Sequence, residues 1–177
     1  MQNDLAKVLI SEDEIIDCCK RLGKQIESDY KDKNPIVVGL LKGCEPFMSD
    51  LIKNINTYIR TDYMDCSSYN GTVSTGSIII KKDLDEDVSG QDVIIVDDII
   101  DSGATLYEIV DILKKRGAKS VKTCVLLSKD VKRKFDLHVD YVGTTVPNEF
   151  VVGYGLDFNE AYRNLPYIGV LKEELYK

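Results

Sequence analysis

Tryptophan is absent from this chain of 177 residues, proline occurs four times, and the only histidine is His138. One histidine without a matching serine or cysteine elbow gives a hydrolytic triad little support. The five cysteines, at 18, 19, 44, 66 and 124, form no CxxC pair. Structural zinc and a disulfide framework are therefore not expected, and reduced thiols are the default. Cys18 and Cys19 read as packing residues of a helix. A Walker A loop and a GxGxxG fingerprint are also missing, which weakens nucleotidase and dehydrogenase readings. No apolar run approaches the ~18 residues of a membrane span. A basic surplus is lacking too: 23 Lys and Arg against 30 Asp and Glu leave a net charge of −7. That balance argues against general affinity for nucleic acid or an anionic membrane. The opening MQNDLAKVLI has no basic stretch followed by a long apolar one, so no secretory signal is read and the cytoplasm is expected.

A hydrophobic content of 44% supports a real core in one domain, with no linker, repeat or low-complexity tract along 1–177. Ser11 with Glu14 reads as a capping box, opening a helix with Ile15, Ile16, Cys19, Leu22 and Ile26 on one side. Pro35 precedes a strand over Ile36 to Leu41, and Pro46 sits near the start of a helix through Phe47, Leu51 and Ile52. Further strands are predicted at Thr57 to Met64, Ile78 to Lys82, Val93 to Val96, Val121 to Leu127, Tyr141 to Gly143 and Ile168 to Leu171. Strands interleaved with helices of this length imply an α/β fold with a mostly parallel sheet.

The segment VIIVDDIIDSGATL, Val93 to Leu106, carries the most chemistry. Its β-branched run suits a parallel strand covered on both faces, and Asp97 and Asp98 fall at the strand's C-terminal end, where open α/β sheets bind ligands. Leu106, Ile109, Val110 and Leu113 follow at helical spacing, with Lys114, Lys115 and Arg116 in the last turn and Gly117 as the left-handed cap, so the helix begins near Ala104. The loop Asp101-Ser102-Gly103-Ala104-Thr105 then brings unpaired N–H groups, two hydroxyls and a positive helix end together. That combination cradles phosphate. Two adjacent carboxylates accept hydrogen bonds from vicinal hydroxyls, or hold Mg2+ beside the phosphate, so a ribose phosphate satisfies both halves. A plainer reading has Asp101 or Ser102 capping the helix and two solvated aspartates.

The segment resembles the signature of the type I phosphoribosyltransferases: an apolar strand, two acidic residues, two apolar residues, Asp, Ser or Thr, Gly, any residue, Thr. GLLKGC (39–44), SSYNGTVSTG (67–76), VLLSK (125–129) and PNEFVVGYGLDFNEAYRNLPYIG (147–169) extend the similarity to the hypoxanthine (guanine) phosphoribosyltransferases, from about Ser11 to Leu171. The resemblance implies one domain over 1–177, with a parallel-sheet core at about 30–145 and a small hood from the N-terminal segment and about 146–177. It also implies attack of purine N9 on C1 of 5-phosphoribosyl 1-pyrophosphate, giving IMP or GMP and pyrophosphate with Mg2+.

On that resemblance, Asp97 and Asp98 hold the ribose hydroxyls, the 101–105 cradle holds the 5-phosphate, and Asp101 is the acid/base at purine N7. Leu41, Lys42 and Gly43 form the pyrophosphate loop, with a cis peptide between Leu41 and Lys42, and Arg163 faces pyrophosphate. Lys129 donates to the purine 6-oxygen and rejects adenine, Phe150 stacks on the base, and the Val151 backbone reads its edge. Asp157 is a metal carboxylate beside the base, metal is also shared with Asp97 and Asp98, and Arg133 is a further basic position. Ser68 and Tyr69 belong to a lid over residues 66–76, read as mobile, that excludes water from the cationic transition state. Dimers or tetramers are implied as well. Asp97 for a frequent Glu, Cys44 for a common Gly, Ala104 for a larger residue and the missing proline after Lys129 depart from the family pattern without removing a functional group. A regulator that kept the site but binds RNA is an alternative, which needs a basic surface. A ribose-phosphate pyrophosphokinase lacks any adenine-nucleotide motif here.

Overall fold

Period-two alternation along the strands sorts their side chains onto two helical layers. In the strands β2 (Ile36–Leu41), β5 (Asp92–Ile100) and β6 (Ser120–Lys129), one set comprises Val37, Ile94, Val96, Cys124 and Leu126. These pack with the helices α1 (Glu12–Asp29) and α2 (Glu45–Ile52). The other set, Ile36, Val38, Leu40, Val93, Ile95 and Val125, packs with Leu106, Ile109, Val110 and Leu113 of α3 (Ala104–Lys115). Where these strands are buried on both faces, over Ile36–Leu40, Val93–Val96 and Cys124–Leu127, the run is apolar without alternation, as in parallel strands. The computed structural model describes residues 1–68, 78–132 and 135–177.

The larger sheet has six strands in the order β4-β3-β2-β5-β6-β7, with β3 at Arg60–Ser68, β4 at Ile78–Lys82 and β7 at Tyr141–Val146. All pairs are parallel except β3 with β4. The smaller sheet is antiparallel and joins chain ends: β1 (Leu5–Ile10) pairs with β9 (Ile168–Leu171), which pairs with β8 (Val151–Val152). Neither β1 nor β8 is predicted from the sequence, because the first alternates poorly and the second has two residues. Among the described residues, no helix is long and apolar enough to cross a membrane.

Several local expectations hold. The Ser11 hydroxyl accepts the Glu14 N–H while the Glu14 carboxylate accepts the Ser11 N–H, closing the capping box. Gly117, with φ of +84°, follows α3 in the left-handed conformation. Others are corrected. Ile16 is 38% exposed, since it lies one residue, about 100° of rotation, off the buried stripe of Ile15, Cys19, Leu22 and Ile26. The strand expected from Thr57 begins at Arg60, which is where its register with Ile36 begins. Strands β5, β6 and β7 all outrun their predicted ends, and the β5 extension bears directly on the site.

Candidate active site

Strand β5 is paired with β2 only as far as Gly39 and Val96, but with β6 through Ile100 and Ser128. Asp97 and Asp98 therefore lie within the strand rather than beyond it. The residues after Val96 have lost their β2 neighbour, and the loop leaving β2 takes that side. The Asp98 N–H donates to Asp97 Oδ1 at 3.1 Å, and the Ile99 N–H donates to Asp98 Oδ1 at 2.6 Å, which fixes both carboxylates. Burial pushes the Asp97 carboxyl well above the usual carboxylate range, and the adjacent Asp98 charge pushes it further. Burial also raises Asp98, while the Ile99 N–H and the Arg163 charge oppose the shift.

A carboxyl raised in the fold binds more protons there than in the unfolded chain, so stability falls as pH rises from 3.8 through the raised value. Asp97→Asn is expected to raise the Tm at neutral pH, and the gain should shrink as pH falls toward 3.8. Calorimetry of both proteins across that range checks the sign.

The cradle is built as its sequence suggests. Gly103 takes φ of +81°, turning the chain into α3, and a cavity of about 170 Å³ is lined by Asp97, Asp101, Ser102, Gly103, Ala104 and Thr105, among others. Gly103 is the N-cap and has no side chain to offer, so the expected side-chain cap comes from Ser102, one residue earlier, as a single long contact. Among the described residues Ser102 Oγ accepts the Ala104 N–H, at 3.4 Å. The helix mouth thus keeps donors for an anion.

Leu41 and Lys42 are joined by a cis peptide. The following Gly43 lies flat against the β5 carboxylates: a Cβ placed there would come 1.8 Å from Asp98 Oδ2. Gly155, with φ of +97°, also lies close against Gly43, its own notional Cβ falling 2.0 Å from the Gly43 carbonyl oxygen. Behind the loop, Cys44 is fully buried, and burial pushes its thiol far above the ordinary value.

Charged groups of the 155–163 segment close this end. Arg163 donates to the Gly155 carbonyl at 2.7 Å and pairs with Asp157 at 2.9 Å and Glu160 at 3.2 Å. Glu160 also reaches Lys42 at 2.8 Å, tying the two basic residues to one carboxylate. The Lys42 and Arg163 hydrogen bonds hold the Glu160 carboxyl below its ordinary value. Nε of Arg163 is buried without a partner among the described residues.

On the other side of the cradle, Lys129, at the end of β6 and 15% exposed, pairs with Asp101 at 3.2 Å. Phe150 is half-buried and precedes β8, whose Val151 is buried. Its ring meets Phe158 edge-on at 5.6 Å and stacks on Tyr176 at 4.7 Å. Three of the expected groups therefore meet at the end of β5: the paired carboxylates, the cradle and the β2 loop. Asp157 pairs with Arg163, whose charge also reaches Asp98, and no group of three or more His, Cys, Asp or Glu placed to hold a metal exists among the described residues. Ser68 is the last residue of β3, whereas Tyr69 and Arg133 lie outside the described residues. The sequence reading missed Glu160, Gly155 and Tyr176. For Gly155 and Glu160 the signal was present in the quoted 147–169 segment, but nothing local says what either touches.

The phosphoribosyl transferase domain family matches residues 9–159. The chain is 54% identical over 177 residues, 99% of its own length and 98% of the relative's, to a hypoxanthine-guanine phosphoribosyltransferase of Streptococcus pneumoniae. It is 56% identical over 177 residues to the bifunctional protein TilS/HprT of Listeria monocytogenes, where it covers 99% of this chain but spans only 27% of that relative's length. A crystal structure of a hypoxanthine phosphoribosyltransferase from Staphylococcus aureus superposes with a TM-score of 0.96 at 50% identity, covering 100% of this chain and 97% of that one. Matching sequence along the full length and a matching overall fold agree: the chain belongs to the phosphoribosyl transferase family, within its hypoxanthine-guanine phosphoribosyltransferase group.

Proposed function

We propose that this chain salvages purines by transferring the 5-phosphoribosyl group from 5-phosphoribosyl 1-pyrophosphate to N9 of hypoxanthine or guanine, releasing pyrophosphate. The close approach of Gly43 to Asp98, next to the cavity that Asp97 shares with residues 101–105, carries the reading, because it sets the β2 loop, a pair of hydroxyl acceptors and a helix mouth side by side. Only a pentose with a phosphate at one end and a charged leaving group at the other uses all three.

In this reading the cradle fixes the 5-phosphate and thereby C1, and positioning of that kind lowers a bimolecular barrier strongly. Asp97 and Asp98 accept the ribose hydroxyls, and their charge favours the oxocarbenium-like transition state. Lys42 and Arg163 bind the leaving pyrophosphate, exchanging the Glu160 carboxylate for it. Mg2+, when bound, neutralises the pyrophosphate charge; the Asp97–Asp98 pair and Asp157 fit a cation that takes one or two carboxylates and completes its shell with phosphate and water. Asp101 exchanges a proton at purine N7, and Lys129 beside it donates to the 6-oxygen.

An ultraviolet assay with Mg2+, the activated ribose and each 6-substituted purine tests the proposal. Turnover of hypoxanthine and guanine with none for adenine is expected, and absence of turnover with every base overturns it. Lys129→Gln should raise KM for hypoxanthine by roughly ten- to a hundredfold, the worth of a hydrogen bond from a charged donor, and leave KM for the activated ribose nearly unchanged.

A further inference from the structure

We infer that Tyr176, the penultimate residue, is a positioning residue for base recognition: its ring backs Phe150 and holds that ring in the orientation a purine stacks on. The inference rests on the proposed transfer to a purine.

Phe150 packs on the small cluster of Leu5, Val152, Leu165 and Leu171, and its ring orientation depends on the rings beside it. It is half-buried and follows the exposed Pro147 and Asn148. Two rings touch it, and they do so differently. Phe158 meets it edge-on, with the planes 89° apart, whereas Tyr176 covers a face, with the planes 23° apart and centroids 4.7 Å apart. An aromatic ring has two faces, so one remains for a ligand once Tyr176 has taken the other. The Phe158 contact links that ring to Asp157, the preceding residue, and through it to Arg163 at 2.9 Å.

The chain end is held in place to do this. The Leu171 N–H donates to the Phe150 carbonyl at 2.9 Å, and the Lys172 N–H donates to the Asp4 carbonyl at 3.0 Å. The Tyr176 and Lys177 N–H groups both donate to the Glu173 carbonyl, at 3.2 and 2.9 Å, folding the tail back in a short 3-10 turn. Tyr176 then joins Phe150, Phe158, Tyr162 and Tyr167 around the buried Leu5, Val152, Leu165 and Leu171. A ring fixed before the base arrives loses less rotamer freedom when the base binds, which favours affinity without any new ligand contact.

The test compares Tyr176→Ala, Tyr176→Leu and Tyr176→Phe with the unsubstituted chain in steady-state kinetics for both substrates. Tyr176→Ala should raise KM for hypoxanthine and guanine about three- to tenfold, the worth of one aromatic pair. The kcat and the KM for 5-phosphoribosyl 1-pyrophosphate should stay unchanged. Tyr176→Phe should restore the unsubstituted values, because the ring and not the hydroxyl does the positioning. Tyr176→Leu, which keeps apolar bulk without a ring, should behave like Tyr176→Ala and serves if the alanine variant does not fold. An unchanged base KM overturns the inference, and so does an equal rise for both substrates, which marks a structural role alone. A fall in base KM overturns it as well, since Tyr176 would then sit where the base belongs. If the unsubstituted chain transfers to no purine, the underlying reading fails; if it transfers but the variants are silent, only the inference does.

Discussion

Asp101→Asn is expected to lower kcat by about 10²–10⁴-fold while leaving the fold and the KM for the activated ribose nearly unchanged. The side chain is exposed, so an isosteric amide disturbs no packing. Its polar contact among the described residues is the 3.2 Å pair with Lys129, which an amide oxygen accepts as well, though without the charge. What asparagine cannot do is take up and return a proton at purine N7. The expected signature is thus a turnover defect with both substrates still bound, measured by steady-state kinetics and by calorimetric titration of 5-phosphoribosyl 1-pyrophosphate. Turnover unchanged in this variant would remove Asp101 from the proton-transfer role and leave it as part of the cradle.

Gly43→Ala should cost about 10²-fold in kcat/KM, with the loss concentrated in use of the activated ribose. A methyl group there would come 1.8 Å from Asp98 Oδ2 and 2.6 Å from its Cγ. The carboxylate has to leave its position, and with it goes the hydroxyl acceptor and the hydrogen bond from the Ile99 N–H. Only a side-chain end stands in the way, so the Tm should change little. Gly155→Ala makes the contrast. Its Cβ would meet the Gly43 backbone oxygen at 2.0 Å, and its φ of +97° is one that alanine adopts only under strain. That variant should lose stability before it loses affinity, and thermal denaturation beside kinetics separates the two.

Much of the site was legible because its parts are contiguous. The run from Val93 to Leu106 states its own strand, its carboxylates, its turn and its helix within 14 residues. Every step in that reading uses a local rule: β-branching, helical spacing, the freedom of Gly103 at φ of +81°. Even there the reach of β5 to Ile100 was missed, because strand length is set by what pairs with it, and β6 lies 20 residues on from Ile100 by number. Ile16 was misplaced for a similar reason, since a helix's apolar stripe is only as wide as the surface it meets. Glu160 lies inside the quoted 147–169 segment, but its partners could not be read there. Its contact with Lys42 spans 118 residues of sequence, and a lone glutamate between asparagine and alanine reads equally well as a solvated residue.

By itself, then, the order of residues determined an α/β chain with a glycine turn and a helix mouth after a buried acidic strand, because hydrophobic period and turn chemistry act over a few residues at a time. Only the tertiary structure decided which loops stand around that turn. The side of β5 left open beyond Val96 admits Gly43, the end of β6 brings Lys129 to Asp101 across 28 residues, and the pairing of β1 with β9 fixes the chain end behind Phe150. Those are facts of strand order and register, which long-range burial selects and no single segment encodes.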